Sequence, residues 1–127
     1  MDFAVATFRF CRTVPKTEEA RDIVRQLRRA ASSVAANCRA TRRSQSDAVF
    51  AAKAAVVIEE ADEAGFWLEF LVRIDLVKRP VVGNLGGEAN ELVAIFTASR
   101  KTVCERMAAN KARKRGGPRS QLCVHSS

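Results

Sequence analysis

The densest set of ionisable side chains in this 127-residue chain is the run Glu59-Glu60-Ala61-Asp62-Glu63. Four carboxylates in five residues invite a two-metal site. In helical bundles such a site is completed by Glu-x-x-His motifs on other helices. The one histidine, His125, stands in the C-terminal segment, outside any such motif. The four cysteines, Cys11, Cys38, Cys104 and Cys123, have neither CxxC nor zinc-type spacing. None has a nearby base to activate it as a nucleophile. Three fall in helical segments and read as small reduced hydrophobes. The sequence therefore predicts no catalytic residue, no metal and no cofactor.

The carboxylates have a second use. A long helical run from Ser44 to about Val77 surrounds them, with Phe50, Ala54, Val57, Ala61, Ala64, Leu68 and Leu71 on one stripe. About 100° round the helix, Val49, Val56, Glu60, Glu63, Trp67, Phe70 and Ile74 form another. Glu60 and Glu63 thus stand in line with bulky apolar residues. Carboxylates so placed need a cationic or hydrogen-bonding partner, because an unpaired buried charge is costly. The preceding helix, from Thr17 to about Arg42, offers one. Its apolar stripe is Ile23, Leu27, Ala30, Val34 and Thr41, and beside it Arg29, Ser33 and Asn37 stack four residues apart. Arg29, or its neighbour Arg28, is predicted to reach Glu60 and Glu63 and to set the register of the two helices. A half-buried ionic pair is better suited to register than to net stability.

The remaining elements follow from punctuation. Residues 3–13 form a short first helix with Phe3, Phe10 and Val14 available for packing, closed by Val14-Pro15. Thr17 offers an N-cap, with Glu18 and Glu19 in the first turn. Ser44 and Asp47 suggest a capping box for the third helix. Pro80 is expected to end that helix and Val81–Gly87 to form a loop. Its three glycines lack the preceding strand and the following Lys-Ser/Thr of a phosphate loop. A last helix is expected from about Gly87 to Asn110, with Ala89, Leu92, Phe96, Val103 and Met107 on one side. No strand pattern or internal repeat is present. The fold class expected is all-α, an up-and-down antiparallel four-helix bundle over residues 1–110.

Residues 111–127 read as a separate basic, disordered tail. The net charge is +8, and this segment holds five basic residues and no acid. Polyanions are the natural partners of such a charge, and the signal is mainly in the tail. The candidate nucleic-acid contacts are Arg39, Arg42 and Arg43 at the end of the second helix, with Lys111, Arg113, Lys114, Arg115 and Arg119. There is no signal peptide pattern and no apolar run long enough to span a bilayer, so the expected setting is the cytoplasm, without a membrane partner.

Several separated motifs also resemble those of a known family. They are Gln26-Leu27-Arg28-Arg29-Ala30-Ala31-Ser32-Ser33-Val34-Ala35-Ala36-Asn37, the stretch from Arg42 to Lys53, and Glu59 to Glu63 followed by Phe66-Trp67-Leu68-Glu69. The last is Glu88-Ala89-Asn90-Glu91-Leu92-Val93-Ala94-Ile95-Phe96. Over about residues 10–104 the chain resembles the bacterial four helix bundle protein family, which includes proteins encoded in rRNA intervening sequences. That family is related to the accessory variability determinant of diversity-generating retroelements. Cys38 departs from the usual aromatic or aliphatic residue, and Ala54 from a larger apolar one. The resemblance implies a left-handed bundle assembling as a homopentamer. For retroelement-type members it also implies binding to nucleic acid, RNA or DNA, and to a reverse transcriptase.

Together these readings favour a non-catalytic oligomer that binds nucleic acid through basic surfaces, as an accessory to a nucleic-acid enzyme. The alternative is a protein-interaction scaffold whose charge serves solubility. Base specificity is not expected, because the basic tail carries no aromatic residue for stacking.

Overall fold

Among the described residues there are four helices: α1 (Asp2–Cys11), α2 (Glu18–Arg42), α3 (Asp47–Arg73) and α4 (Arg79–Gly116). The structure, a computed structural model, describes residues 1–116. Packing is extensive between α2 and α3 and between α3 and α4, while α1 lies on α2 and touches α4. Short turns make each helix antiparallel to the next, giving the up-and-down bundle.

Each helix follows from a local pattern. Thr17 caps α2 by accepting from the Ala20 amide at 3.1 Å. From there Ile23, Leu27, Ala30, Val34 and Thr41 are buried as one stripe, joined by Ala31 and Cys38. On α3, Ala54, Val57, Ala61, Ala64, Leu68 and Leu71 face the core, with Ala51 in place of Phe50 at the start. Alanine at so many buried positions lets the helix axes approach closely. Gly65 extends this: a Cβ there would meet the Ala89 Cβ at 3.8 Å, ordinary contact. Leu27, Leu68 and Leu71 are the largest fully enclosed side chains, each contributing roughly 1.5–3 kcal/mol relative to an exposed leucine. The buried polar Thr7 and Thr41 donate to the Phe3 and Cys38 carbonyls one turn back, so neither hydroxyl is orphaned.

Several element boundaries differ from expectation, each for a local reason. The cap of α3 is Ser46, which accepts from the Val49 amide at 3.1 Å, whereas Ser44 donates back to the Ala40 carbonyl. No capping box therefore forms at Ser44, and Asp47 is left to pair across the bundle. At its other end α3 stops at Arg73, before Val77. Asp75 takes a left-handed conformation (φ 63°), and the Leu76 and Asp75 amides close back on the Leu71 and Val72 carbonyls. This paired closure satisfies the last carbonyls of the helix.

Pro80 does not terminate α3 but stands second in α4, where a missing N–H costs nothing. The expected loop Val81–Gly87 is helical. Val82, Leu85 and Ala89 bury along one face of that turn, and their packing overrides the poor helix propensity of three glycines. Finally, α4 continues through Lys111 to Gly116, so this part of the expected disordered tail is helical. Lys, Arg and Ala are strong helix formers.

Candidate nucleic-acid interface

The α2–α3 seam is fixed by one guanidinium. Arg29 donates to Glu60 at 3.0 Å and, from its other terminal nitrogen, to Glu63. Trp67 Nε1 donates to the same Glu63 oxygen at 3.3 Å. Glu63 first, and then Glu60, holds the Arg29 pKa above its usual value. Arg28 takes no part in this clamp: its backbone carbonyl accepts from Ser32 and its side chain stands near Cys11. Ser33 and Asn37 bond to each other through the Asn37 amide, at 3.2 Å, rather than to the carboxylates. Of the residues stacked on this face of α2, Arg29 alone reaches the carboxylates, and Ser33 and Asn37 do not extend the seam.

Two further carboxylate clamps tie α3 to α4. Glu69 accepts both terminal nitrogens of Arg79 at 2.9 Å and Arg73 at 3.1 Å. Arg79 first, then Arg73, pulls its pKa down to about 2. Asp47 accepts from Arg106 at 3.0 and 2.9 Å, which holds its carboxyl below the usual range. These pairs engage Asp47, Glu60, Glu63 and Glu69 of α3 in structure. Among the described residues, no three of His, Cys, Asp and Glu gather as a metal site. Cys11 and Cys38 are buried, Cys104 is half-buried, and all three are free thiols. Burial raises the pKa of the Cys11 and Cys38 thiols, which makes them poorer nucleophiles.

The Arg106–Asp47 pair also measures how far α4 overruns its neighbour. Asp47 is the first residue of α3, so residues 107–116 continue about 15 Å beyond the last pairing, at 1.5 Å per residue. That overhang holds Lys111, Arg113, Lys114 and Arg115, all exposed, and no acid. Because α2 turns into α3 at this same end, Arg39, Arg42 and Arg43 belong to it as well. The three have different surroundings. Arg43 caps α2 and is exposed. Arg42 lines a groove that also holds Glu88 and Glu91 of α4. Arg39 lines another groove, with Arg9 and Arg12 of α1 and no carboxylate. Arg119 lies outside the described residues, as do Cys123 and His125.

Residues 1–98 match the model of the 23S rRNA-intervening sequence protein family. The chain belongs to that family. A comparison with solved structures finds a similar fold in a Bacteroides thetaiotaomicron protein of unknown function from the S23 ribosomal protein family. It is 25% identical, has a TM-score of 0.72, and the match covers 79% of this chain and 93% of the other. The curated proteins offer no match. The intervening-sequence match ends at Ala98, so the Arg106 clamp and the basic overhang of α4 lie past it. No helix among the described residues is long and apolar enough to cross a membrane.

Sequence reasoning missed two things here. One is the Glu69 and Asp47 clamps, whose partners lie 10 and 59 residues away, beyond any helical spacing rule. The other is the outer face of α1, where Val5, Phe8, Arg9 and Arg12 follow one another at short helical steps. That spacing was legible, but only the docking of α1 decides that Phe3 and Phe10 go in and Phe8 stays out.

Proposed function

We propose that this intervening-sequence family protein is a non-catalytic, self-associating helical bundle that binds nucleic acid electrostatically. The carrying observation is the end of the bundle where α4 overruns α3. Four basic residues project there without an acid, at the end of the bundle where α2 also finishes with Arg39 and Arg43. Repeating such a patch in an assembly of copies would multiply its affinity. Phe66, 55% exposed, and Phe70 stand on the outer face of α3, and Val81 of α4 is exposed too. Next to Phe66 runs an open groove lined by Gly83, Gly86 and Gly87. Exposed rings beside small residues are what a second copy could cover, and five copies is the number that family likeness suggests.

The test is a salt titration of binding to fluorescent RNA and DNA oligonucleotides, with the full chain and with a chain ending at Asn110. Each phosphate that is no longer neutralised lowers the slope of log K against log salt by about 0.7–0.9. The truncated chain is expected to bind more weakly, with a slope shallower by about two or more on that scale. Unchanged affinity and slope would remove the overhang as the nucleic-acid contact. Loss of all binding by the full chain at physiological salt would favour a protein-interaction scaffold, the charge then serving solubility. Light scattering of the same samples reads the subunit count.

A further inference from the structure

The groove between α1 and α2 differs in chemistry from the basic overhang. It is open to solvent and has a volume of about 690 Å³. Val5 and Phe8 stand on one wall, Arg9 and Arg12 continue the same face of α1, and Ala36 and Arg39 of α2 form the other side. Phe8 is 37% exposed. Among the described residues none of the three arginines forms an ion pair, and no carboxylate lines the groove. The groove thus sets three guanidinium groups without a carboxylate beside an exposed ring, whereas Arg29, Arg79 and Arg106 between the helices are matched to acids.

We infer that this groove binds single-stranded nucleic acid, one base stacking on Phe8 while Arg9, Arg12 and Arg39 take the flanking phosphates. The choice of ligand and of strand rests on the nucleic-acid reading proposed above; the location of the site does not. Sites for single strands combine a positive groove with aromatic faces on which bases stack. A duplex hides its base faces and could use only the arginines. An acidic peptide would satisfy the charge but leave the ring unmatched. An anionic membrane surface would match the arginines but offers no flat ring to stack on Phe8. The geometry therefore selects a ligand that alternates flat apolar faces with phosphates.

The test compares Phe8→Leu, Phe8→Tyr and Arg39→Gln in the full chain, by anisotropy with a single-stranded oligonucleotide and with its duplex. Phe8 is exposed, so the variants are expected to fold, and circular dichroism checks this. Phe8→Leu should weaken single-strand binding by about 5- to 150-fold, the range of one base–aromatic stack, and leave duplex binding unchanged. Phe8→Tyr, which keeps a ring, should retain it. Arg39→Gln should weaken both and flatten the salt dependence. Unchanged single-strand affinity in Phe8→Leu, with wild-type binding intact, overturns the groove and spares the basic end. Equal losses on single strand and duplex also overturn it. Failure of wild type to bind either oligonucleotide sinks both proposals. If Phe8→Leu instead abolishes binding to phosphatidylserine vesicles, or changes the subunit count, while oligonucleotide binding stays, the groove belongs to a lipid surface or a second copy.

Discussion

Replacing Arg29 by methionine keeps most of its aliphatic stem and removes the guanidinium that joins α2 to α3. The side chain of Arg29 is half exposed, and that of Glu60 only 16%. Exposed ion pairs are typically worth about 0.2–1 kcal/mol each, so the bond to Glu63 alone would be a small loss. Glu60 differs, because Arg29 is its only side-chain partner among the described residues. A carboxylate left half-desolvated without a donor adds to the penalty, whereas Glu63 retains the Trp67 indole N–H. Together these give about 1–2 kcal/mol, or a fall in Tm of about 4–8 °C for a domain of this length. Urea unfolding followed by circular dichroism reads the loss as a lower midpoint with an unchanged slope. A double-mutant cycle then apportions it. Arg29→Met is combined in turn with Glu60→Gln and Glu63→Gln, and the coupling to Glu60 is expected to be the larger. Couplings below about 0.2 kcal/mol to both carboxylates would mean that the clamp does not hold the helix pair in register.

Two other outcomes follow from the α3–α4 packing. Glu69 has a folded pKa of about 2, below the roughly 4.3 of an unfolded chain, so its contribution is full above the latter value. It is lost as pH falls through the window from about 4.3 to 2; acid titration of Tm should therefore show a shallower decline for Glu69→Gln across that window than for wild type. Gly83, Gly86 and Gly87 are helical with nothing within 4 Å of an added Cβ. Converting each to alanine is expected to stabilise the isolated chain by about 0.5–1 kcal/mol. A thermal melt checks this, and a simultaneous fall in subunit count by light scattering would place a copy of the chain against that groove.

Much of this architecture was legible in the chain. The stripes on α2 and α3 needed only helical periodicity, and the position of Glu60 and Glu63 beside apolar residues already required a cation from a neighbouring helix. The start of α4 was not legible. Pro80 reads equally as a stop or as a first-turn residue, and the three glycines are poor helix residues that the burial of Val82, Leu85 and Ala89 outweighs. The cap of α3 was ambiguous for another reason: Ser44 and Ser46 are both competent, and the competing bond from Ser44 to Ala40 decides between them. The basic segment after Asn110 has the composition of a tail but also of a good helix, and its covalent continuity with α4 removes the cost of starting one. On the candidate site, the arginines could be found by type but not sorted. That Arg42 shares a groove with Glu88 and Glu91 while Arg39 shares one with Arg9, Arg12 and no carboxylate depends on how α1 and α4 dock.

The overrunning end of α4 has a consequence for how it responds to ligand. From Lys111 to Gly116 every residue is exposed, and Lys111 repels Lys114 and Arg115 across one turn. Helix in that segment is held by continuity and by the favourable field of its own carbonyl end, not by packing. An anion laid along it would cancel the mutual repulsion and stiffen the segment, so occupancy and helical order rise together. The projecting end is thus a spring whose rigidity is set by whatever charge it meets.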